Sequence, residues 1–203
     1  MTEEELQDLI TEAEAGDAET QCWLGYYYRS QAEEKLNLFR NLPSGSPTMR
    51  APYNIGERNP ITDSAIEDRK QAFYWFQRAA ERGIADAVYA LSECHARGEG
   101  TPIFMEKARE LLERAADMGQ CEAQYDLGMK LLGEKKFKSA VSWLSKAAAQ
   151  NDSFAQYQLA LCYEEGIGVE KNTKTAIEWY EKAAALGDVR AFDALERLGV
   201  EEE

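Results

Sequence analysis

His95 is the single histidine of the 203-residue chain and the first side chain to consider as a general base. It occupies the place that Tyr28 and Tyr163 hold in sister segments of the sequence, which indicates a packing role. The sequence has no glycine-rich phosphate loop, no Ser-His-Asp set and no nucleophile elbow. Because acid–base catalysis most often relies on histidine, we predict a protein that is not an enzyme and that needs no cofactor.

Cysteine thiols could also react or bind a metal, and the chain has four, Cys22, Cys94, Cys121 and Cys162. No two of them have the close spacing of a zinc-binding pair. The chain is longer than the small disulfide-stapled class, and its first residues are acidic where a secretory signal would be basic and then apolar. We therefore expect structural thiols and a cytoplasmic location.

A repeated pattern of alanine, tyrosine and leucine marks one type of helix, which we call the first helix of each repeat. The spacing Ala-x-Tyr-x-Leu occurs at 87–91, 123–127 and 155–159, and residues 191–195 keep its alanine and leucine. Internal repeats of this kind are typical of solenoid proteins, so the repeat takes precedence over other interpretations of the chain.

A second type of helix, the second helix of each repeat, ends in a pair of alanines and a stop signal. The pairs are Ala79-Ala80, Ala115-Ala116, Ala147-Ala148 and Ala183-Ala184. Gly83, Gly119 and Gly187 follow three of them, and Asn151 follows the fourth. Glycine best tolerates the left-handed conformation just past a helix end, and asparagine is the next best residue.

The motif leucines give the period of the repeat. Leu91, Leu127, Leu159 and Leu195 are separated by 36, 32 and 36 residues, which is the length of a helix pair. The short copy has a shorter turn after its first helix, at 132–137. The difference between copies therefore lies in the loop.

These motifs resemble the Sel1-like repeat, a pair of helices similar to the tetratricopeptide repeat. The resemblance covers about residues 67–198 closely and residues 6–31 more loosely. Ser92 and Ala160 stand where the family has glycine, and both are small enough for close helix packing. The resemblance implies an all-α fold, a right-handed α/α superhelical solenoid of helix pairs that binds other proteins. The best copy matches the family at Ala155, Leu159, Tyr163, Gly166, Gly168 and Val169, then at Ala176, Trp179, Tyr180, Lys182, Ala183, Ala184 and Gly187.

A solenoid needs a cover at each end, because a terminal repeat has one face without a neighbour. We predict a single domain over residues 1–198, with an N-terminal cap at 3–15, repeats at about 67–187 and a C-terminal capping helix at 188–198. Residues 199–203 are predicted to be an acidic, disordered tail. The large residues four positions before each alanine pair are predicted to lie in the core, namely Trp75, Leu111, Trp143 and Trp179.

An insertion interrupts the first repeat, since Leu24 and Leu91 lie 67 residues apart. Residues 31–42 can extend the first helix until Pro43 ends it, and residues 43–61 contain four of the five prolines. Thr62-Asp63-Ser64 offers a cap for the next helix. We interpret 43–61 as a loop, and three roles stay open: contact with a partner, a flexible segment without function, or a brace packed on the solenoid through Tyr53 and Ile55.

Three positions of each first helix are expected to face the concave side of the solenoid, by analogy with related helix-pair repeats. They lie five and two residues before the motif leucine and two residues after it. Aromatic and acidic residues dominate them, although a packing role stays open for the repeated tyrosine. The predicted partner-binding residues are Glu19, Tyr26, Asp86, Tyr89, Glu93, Glu122, Tyr125, Met129, Phe154 and Tyr157, with Arg50 and Tyr53 from the loop.

The charge balance limits the classes of partner. Lys and Arg number 23 against 37 Asp and Glu, which gives a net charge of −14. This charge repels nucleic acids and anionic lipids, and no apolar run approaches the roughly 18 residues of a membrane span. We expect a protein or peptide partner with a basic or amphipathic surface, no nucleic acid and no membrane. The oligomeric state stays open.

Competing functions remain at this point. The leading hypothesis is a non-enzymatic adaptor or regulator that binds its partner through the concave face and the 43–61 loop. The alternative is an immunity-type protein or inhibitor whose negative charge neutralises a basic toxin or effector. An enzyme or an envelope-associated factor is the least favoured interpretation.

Overall fold

The computed structural model describes residues 1–41 and 60–200, and every regular element within these ranges is an α-helix. The all-α fold class is therefore confirmed. The helices are α1 (Glu3–Ala15), α2 (Ala18–Arg40), α3 (Pro60–Glu81), α4 (Ala85–Arg97), α5 (Met105–Asp117), α6 (Cys121–Gly133), α7 (Phe137–Ala149), α8 (Ser153–Glu165), α9 (Thr173–Ala185) and α10 (Val189–Arg197). No helix of the described ranges is long and apolar enough to cross a membrane.

The chain divides into two compact units, Met1–Leu111 and Leu112–Glu203. The first unit contains α1 to α4 and the start of α5, and the second contains the rest of α5 and α6 to α10. The organisation as one domain over 1–198 stays a prediction.

The second helices end as the stop signals predict. Each of the three glycines after an alanine pair has a positive φ, and Asn151 has a φ of 65°. Asparagine thus takes the left-handed position that glycine holds in the sister repeats. The glycines are Gly83, Gly119 and Gly187.

In the first unit, α1 packs against α2 and α3. Its apolar residues Leu6, Leu9 and Ile10 contact the buried side chains of Leu24 and Trp75. Thr2 and Glu5 form a reciprocal capping box at its start. This helix occupies the residues predicted to form the N-terminal cap.

A buried glutamine joins each of three first helices to the helix before it. The amide Nε2 of Gln21 in α2 donates to the backbone oxygen of Ala13 in α1 at 2.7 Å. Gln124 and Gln156 donate in the same way to Ala116 and Ala148, at 3.2 and 3.1 Å. Ala116 and Ala148 are the second alanines of their pairs. The bond from Gln21 shows that α1 takes the place of a second helix.

The long helices α2 and α3 form a hairpin that the other repeats lack. They have 23 and 22 residues, whereas α4 has 13. Along it, Lys35 donates to Ser64 at 2.9 Å and contacts Asp68, while Arg69 pairs with Glu33 at 2.8 Å.

The start of α3 differs from its prediction. The helix begins at Pro60 rather than after a cap at Thr62-Asp63-Ser64. Proline is well tolerated at the first helical position, where its missing N–H would have no partner in the helix. Residues 60 and 61 of the predicted loop 43–61 thus belong to α3, and residues 43–59 lie outside the described residues.

The four predicted core positions divide into two groups. Trp75 and Leu111 are buried, but Trp143 and Trp179 are only partly buried. In both repeats of the second unit the next residue is fully buried instead, Leu144 in α7 and Tyr180 in α9. The ring of each tryptophan lies under a lysine ammonium, at 3.6 Å from Lys146 and 3.9 Å from Lys182. The two tryptophans therefore form the edge of the core.

Small residues allow the helices of a repeat to approach closely, as predicted. A Cβ at Gly25 would overlap the ring of Phe76, and one at Gly128 would overlap Leu144. Ser92 and Ala160, which hold the same position in the other two repeats, are buried.

At the C-terminal end, α10 lies within the predicted capping helix. Gly199 and Val200, predicted to begin the disordered tail, instead close the last turn, with the amide of Val200 donating to Leu195 at 3.1 Å. Residues 201–203 lie outside the described residues.

Candidate partner-binding surfaces

In the first unit, Tyr26 of α2 and Asp86 of α4 come together. The phenol oxygen of Tyr26 donates to the backbone oxygen of Asp86 at 3.5 Å, and its ring meets Phe76 edge-on at 5.0 Å between centroids. Burial of the phenol group raises the pKa of Tyr26 well above its usual range. The residue is nevertheless 41% exposed, so its ring can contact a partner while its hydroxyl is held.

Glu93 is not a free carboxylate. It accepts a hydrogen bond from Arg29 and forms a salt bridge with Arg97, each at 2.8 Å. Arg29 also lies 3.5 Å from Glu99 and stacks over Phe76 at 5.1 Å. The prediction from the sequence did not include Arg29, which lies one turn beyond Tyr26 on α2, a helix predicted to face the partner.

The structure describes two of the four other residues of this unit that were predicted to bind a partner. Glu19 is exposed in the first turn of α2, and Tyr89 is half-buried in α4. Arg50 and Tyr53 lie outside the described residues.

In the second unit, the predicted aromatic residues share one surface. The rings of Tyr125 in α6 and Phe154 in α8 have centroids 6.2 Å apart. The guanidinium carbon of Arg190 lies 4.9 Å from the ring of Phe154 and 4.4 Å from that of Tyr157. Phe154 is 54% exposed. We call Tyr125, Phe154 and Tyr157 the aromatic surface.

Arg190 is held over this surface by Asp188, the cap residue of α10. Its Nε and Nη2 donate to the two carboxylate oxygens of Asp188 at 2.9 and 2.6 Å. The hydrogen bonds from Arg190 lower the pKa of Asp188 and those to Asp188 raise the pKa of Arg190, so both side chains stay charged. Asp188 is only 8% exposed, and a buried carboxylate requires such a partner.

The prediction from the sequence also missed Arg190, although the signal was present. It lies five residues before Leu195, as Glu122 and Phe154 lie five residues before their own motif leucines. Applying the same count to the capping helix would have found it.

Glu122 and Met129 complete the predicted set. Glu122 is exposed and accepts from the amide of Gln120 at 2.5 Å. Met129 is partly buried and packs against the core formed by Leu144 and Leu159. Of the two, Glu122 is the better placed to contact a partner.

The cysteines are free, and Cys121 alone among the four is not fully buried. Burial raises the pKa of the thiols of Cys22, Cys121 and Cys162 to about 11. These thiols are therefore poor nucleophiles near neutral pH. Among residues 1–41 and 60–200, no group of three or more His, Cys, Asp or Glu side chains could hold a metal ion.

The model of the Sel1 repeat family matches residues 55–84, 85–120, 121–152 and 153–188. The chain belongs to the Sel1 repeat family. The matched repeats beginning at 85, 121 and 153 follow the spacing of the motif leucines. Sel1 repeat proteins generally mediate protein–protein interactions and are typically non-catalytic scaffolds.

Solved structures of Sel1 repeat proteins have the same fold. A protective antigen of uropathogenic Escherichia coli aligns with a TM-score of 0.70 and 30% identity over 94% of this chain and 35% of its own. A Sel1 repeat protein from Oxalobacter formigenes aligns with a TM-score of 0.58 and 36% identity over 60% of this chain and 95% of its own. The solenoid fold of Sel1 helix pairs is thus shown.

Curated relatives share the repeats but differ in length. The mouse DAP3-binding cell death enhancer 1 is 32% identical over 51% of this chain and 28% of its own length. The Saccharomyces cerevisiae chitin synthase regulator SKT5 is 36% identical over 49% of this chain and 16% of its own. The Escherichia coli Sel1-repeat-containing protein YjcO is 33% identical over 51% of this chain and 48% of its own. The chain thus spans less than half the length of each of these relatives.

The family match distinguishes the residues of the aromatic surface from the arginine that lies over them. Phe154 and Tyr157 lie in the last matched Sel1 repeat, 153–188, whereas Arg190 lies beyond it in α10. The residue that covers the aromatic surface therefore comes from the capping helix rather than from a Sel1 repeat.

Proposed function

We propose that this Sel1 repeat protein is a non-enzymatic adaptor or regulator that binds a basic or amphipathic segment of a partner protein in the cytoplasm. The observation that carries the proposal is the aromatic surface, where Phe154 is more than half exposed and both it and Tyr157 already contact a cation. Aromatic residues are the commonest anchors of protein interfaces.

The net charge of the chain and the names of two of its relatives support the same function. The net charge of −14 would draw a basic partner toward the protein and make association depend on salt. The names of two relatives describe a DAP3-binding protein and a regulator of chitin synthase. By analogy we assign a binding and regulatory role to this chain, with the 43–61 loop as a second contact.

Affinity capture with the full chain as bait tests the proposal. We expect Phe154→Ala and Tyr26→Ala to lose most of the captured partner, because each removes an exposed aromatic anchor from a first helix. Phe104→Ala is the matched control, since Phe104 is 58% exposed but precedes α5, a second helix. If Tyr26→Ala, Glu122→Ala and Phe154→Ala all retain the partner in full, the binding surfaces proposed for the two units are wrong.

A second candidate is an inhibitor of a basic toxin or effector, which the net charge of −14 favours. Such a protein would capture one strongly basic partner, and its association would weaken steeply between roughly 0.05 and 0.5 M salt as the screening length falls. Capture of several neutral partners with little salt dependence would exclude the inhibitor.

A further inference from the structure

The second residue of a first helix is acidic in three of the five first helices and is not acidic in the other two. Glu19, Asp86 and Glu122 occupy this position in α2, α4 and α6. A negative charge there is favoured by the positive end of the helix dipole. Phe154 in α8 and Arg190 in α10 are the two exceptions, and these two residues contact each other at 4.9 Å.

The helix dipole does not account for Arg190, because a cation in the first turn of a helix is unfavourable. Its interactions lie elsewhere. The guanidinium stacks over Phe154 and Tyr157 and forms a two-bond pair with Asp188. Flat aromatic faces and a forked carboxylate are the groups that best recognise a guanidinium.

We propose that Phe154, Tyr157 and Asp188 form a recognition site for an arginine of the partner segment, and that Arg190 fills this site in the unbound protein. The proposal rests on the proposed function and names the chemistry of the partner. Binding exchanges one guanidinium for another, so the Asp188 carboxylate, which is 8% exposed, keeps a cationic partner throughout.

Two features make the exchange feasible. The side chain of Arg190 is 42% exposed, so it can leave the aromatic rings for solvent without moving the helix backbone. Further acids, Asp152 and Glu122, cap or begin the neighbouring first helices, and they give the surroundings a negative charge that favours an incoming cation.

When an internal group occupies a site, the apparent affinity of a ligand is its intrinsic affinity multiplied by the fraction of time that the site is free. If Arg190 fills the site about nine-tenths of the time, its removal raises the apparent affinity about tenfold. We expect Arg190→Ala to bind the peptide acetyl-Gly-Arg-Gly-amide about tenfold more tightly than the wild type, measured by NMR titration of the full chain.

Three comparisons assign the gain to this site. The lysine counterpart, acetyl-Gly-Lys-Gly-amide, should bind Arg190→Ala several-fold more weakly than the arginine peptide, because an ammonium lacks the planar fork that forms two bonds to a carboxylate while its face lies on aromatic rings. The double variant Arg190→Ala with Phe154→Ala should lose the gain. Arg197→Ala should resemble the wild type, since Arg197 lies on the same helix but pairs with Glu164 at 2.7 Å.

The proposal is wrong if Arg190→Ala binds the arginine peptide no better than the wild type, or if it binds both peptides equally. If Arg190→Ala does not fold, the wild type provides the readout: excess arginine peptide should speed the exchange of the Arg190 Nε proton, and an unchanged rate would refute the site. Loss of capture by Phe154→Ala without any gain from Arg190→Ala would remove the arginine site and leave the binding surface standing.

Discussion

Asn151 and Lys135 adopt the left-handed conformation without being glycine, with φ values of 65° and 59°. Both follow a helix of the second unit, and Asn151 takes the place that glycine holds after the other second helices. Left-handed backbone costs a lysine about 1–2 kcal/mol, because its Cβ approaches the following carbonyl, and it costs asparagine less.

Glycine at these two positions should therefore stabilise the protein. We expect Lys135→Gly to raise the free energy of unfolding by about 1 kcal/mol and Asn151→Gly by about 0.5 kcal/mol. Ser142→Gly is the control, because it places glycine at an exposed position inside α7 and should lower that free energy by roughly 0.5 kcal/mol. Urea unfolding measures all three, and the opposite order of the first two would contradict the explanation.

Glu164 joins three helices through its carboxylate. It accepts hydrogen bonds from Arg197 at 2.7 and 2.9 Å and from the phenol group of Tyr180 at 2.7 Å. The hydrogen bonds from Arg197 and Tyr180 lower its pKa despite partial burial. The charged form of the Glu164 carboxylate is therefore stabilised in the folded protein relative to the unfolded chain.

The sign of the pH dependence follows. The stabilisation is complete above the pKa of an unfolded glutamate and disappears as the pH falls through the lower pKa of the folded state. We expect Glu164→Gln to lower the free energy of unfolding by about 1 kcal/mol at pH 7 and to match the wild type increasingly below roughly pH 4. Glu165→Gln, an exposed neighbour, should change little at either pH. A deficit of Glu164→Gln that persists unchanged in acid would show that the charge is not the cause.

At the scale of the helix, the buried glutamines were harder to predict than the helices themselves. The apolar positions, the alanine pairs and the stop residues were sufficient to place most helices because they follow the 3.6-residue period and the rules for helix ends. Gln124 and Gln156 occupy equivalent positions in the sequence, but a polar side chain is ordinarily expected at the surface. Only the structure shows the carbonyl groups that they reach.

The glutamine bond can be tested directly. Gln156→Leu keeps the volume of the side chain but removes the donor to the backbone oxygen of Ala148. The backbone oxygen of Ala148 still accepts from the amide of Asn151 at 3.1 Å, so the variant loses one buried hydrogen bond, and we expect the free energy of unfolding to fall by about 0.5–1.5 kcal/mol. Gln158→Leu, on the same helix and half-buried, should cost much less. Equal losses for the two variants would contradict a role for the bond.

At the scale of the whole molecule, the count of 37 Asp and Glu residues overstates the number of carboxylates available to a partner. Glu93, Glu164 and Asp188 are each engaged with an arginine of the same unit. The distance of each residue from its motif leucine predicted the aromatic and acidic residues of the candidate surface in the second unit. It could not show which acids were already paired, because pairing depends on the rotamers of long side chains and on contacts between helices distant in the chain.

The α2–α3 hairpin has a practical consequence for protein engineering. Lys35 donates a hydrogen bond to Ser64, and Glu33 forms a salt bridge with Arg69. These contacts hold the end of α2 beside the start of α3, where the chain leaves and re-enters the fold. The repeats beyond the hairpin are joined by their own alanine and glutamine contacts, which lie elsewhere. Replacing residues 42–54 by a fluorescent or affinity module would therefore leave the matched repeat 55–84 intact, and it would test whether the loop contributes to binding.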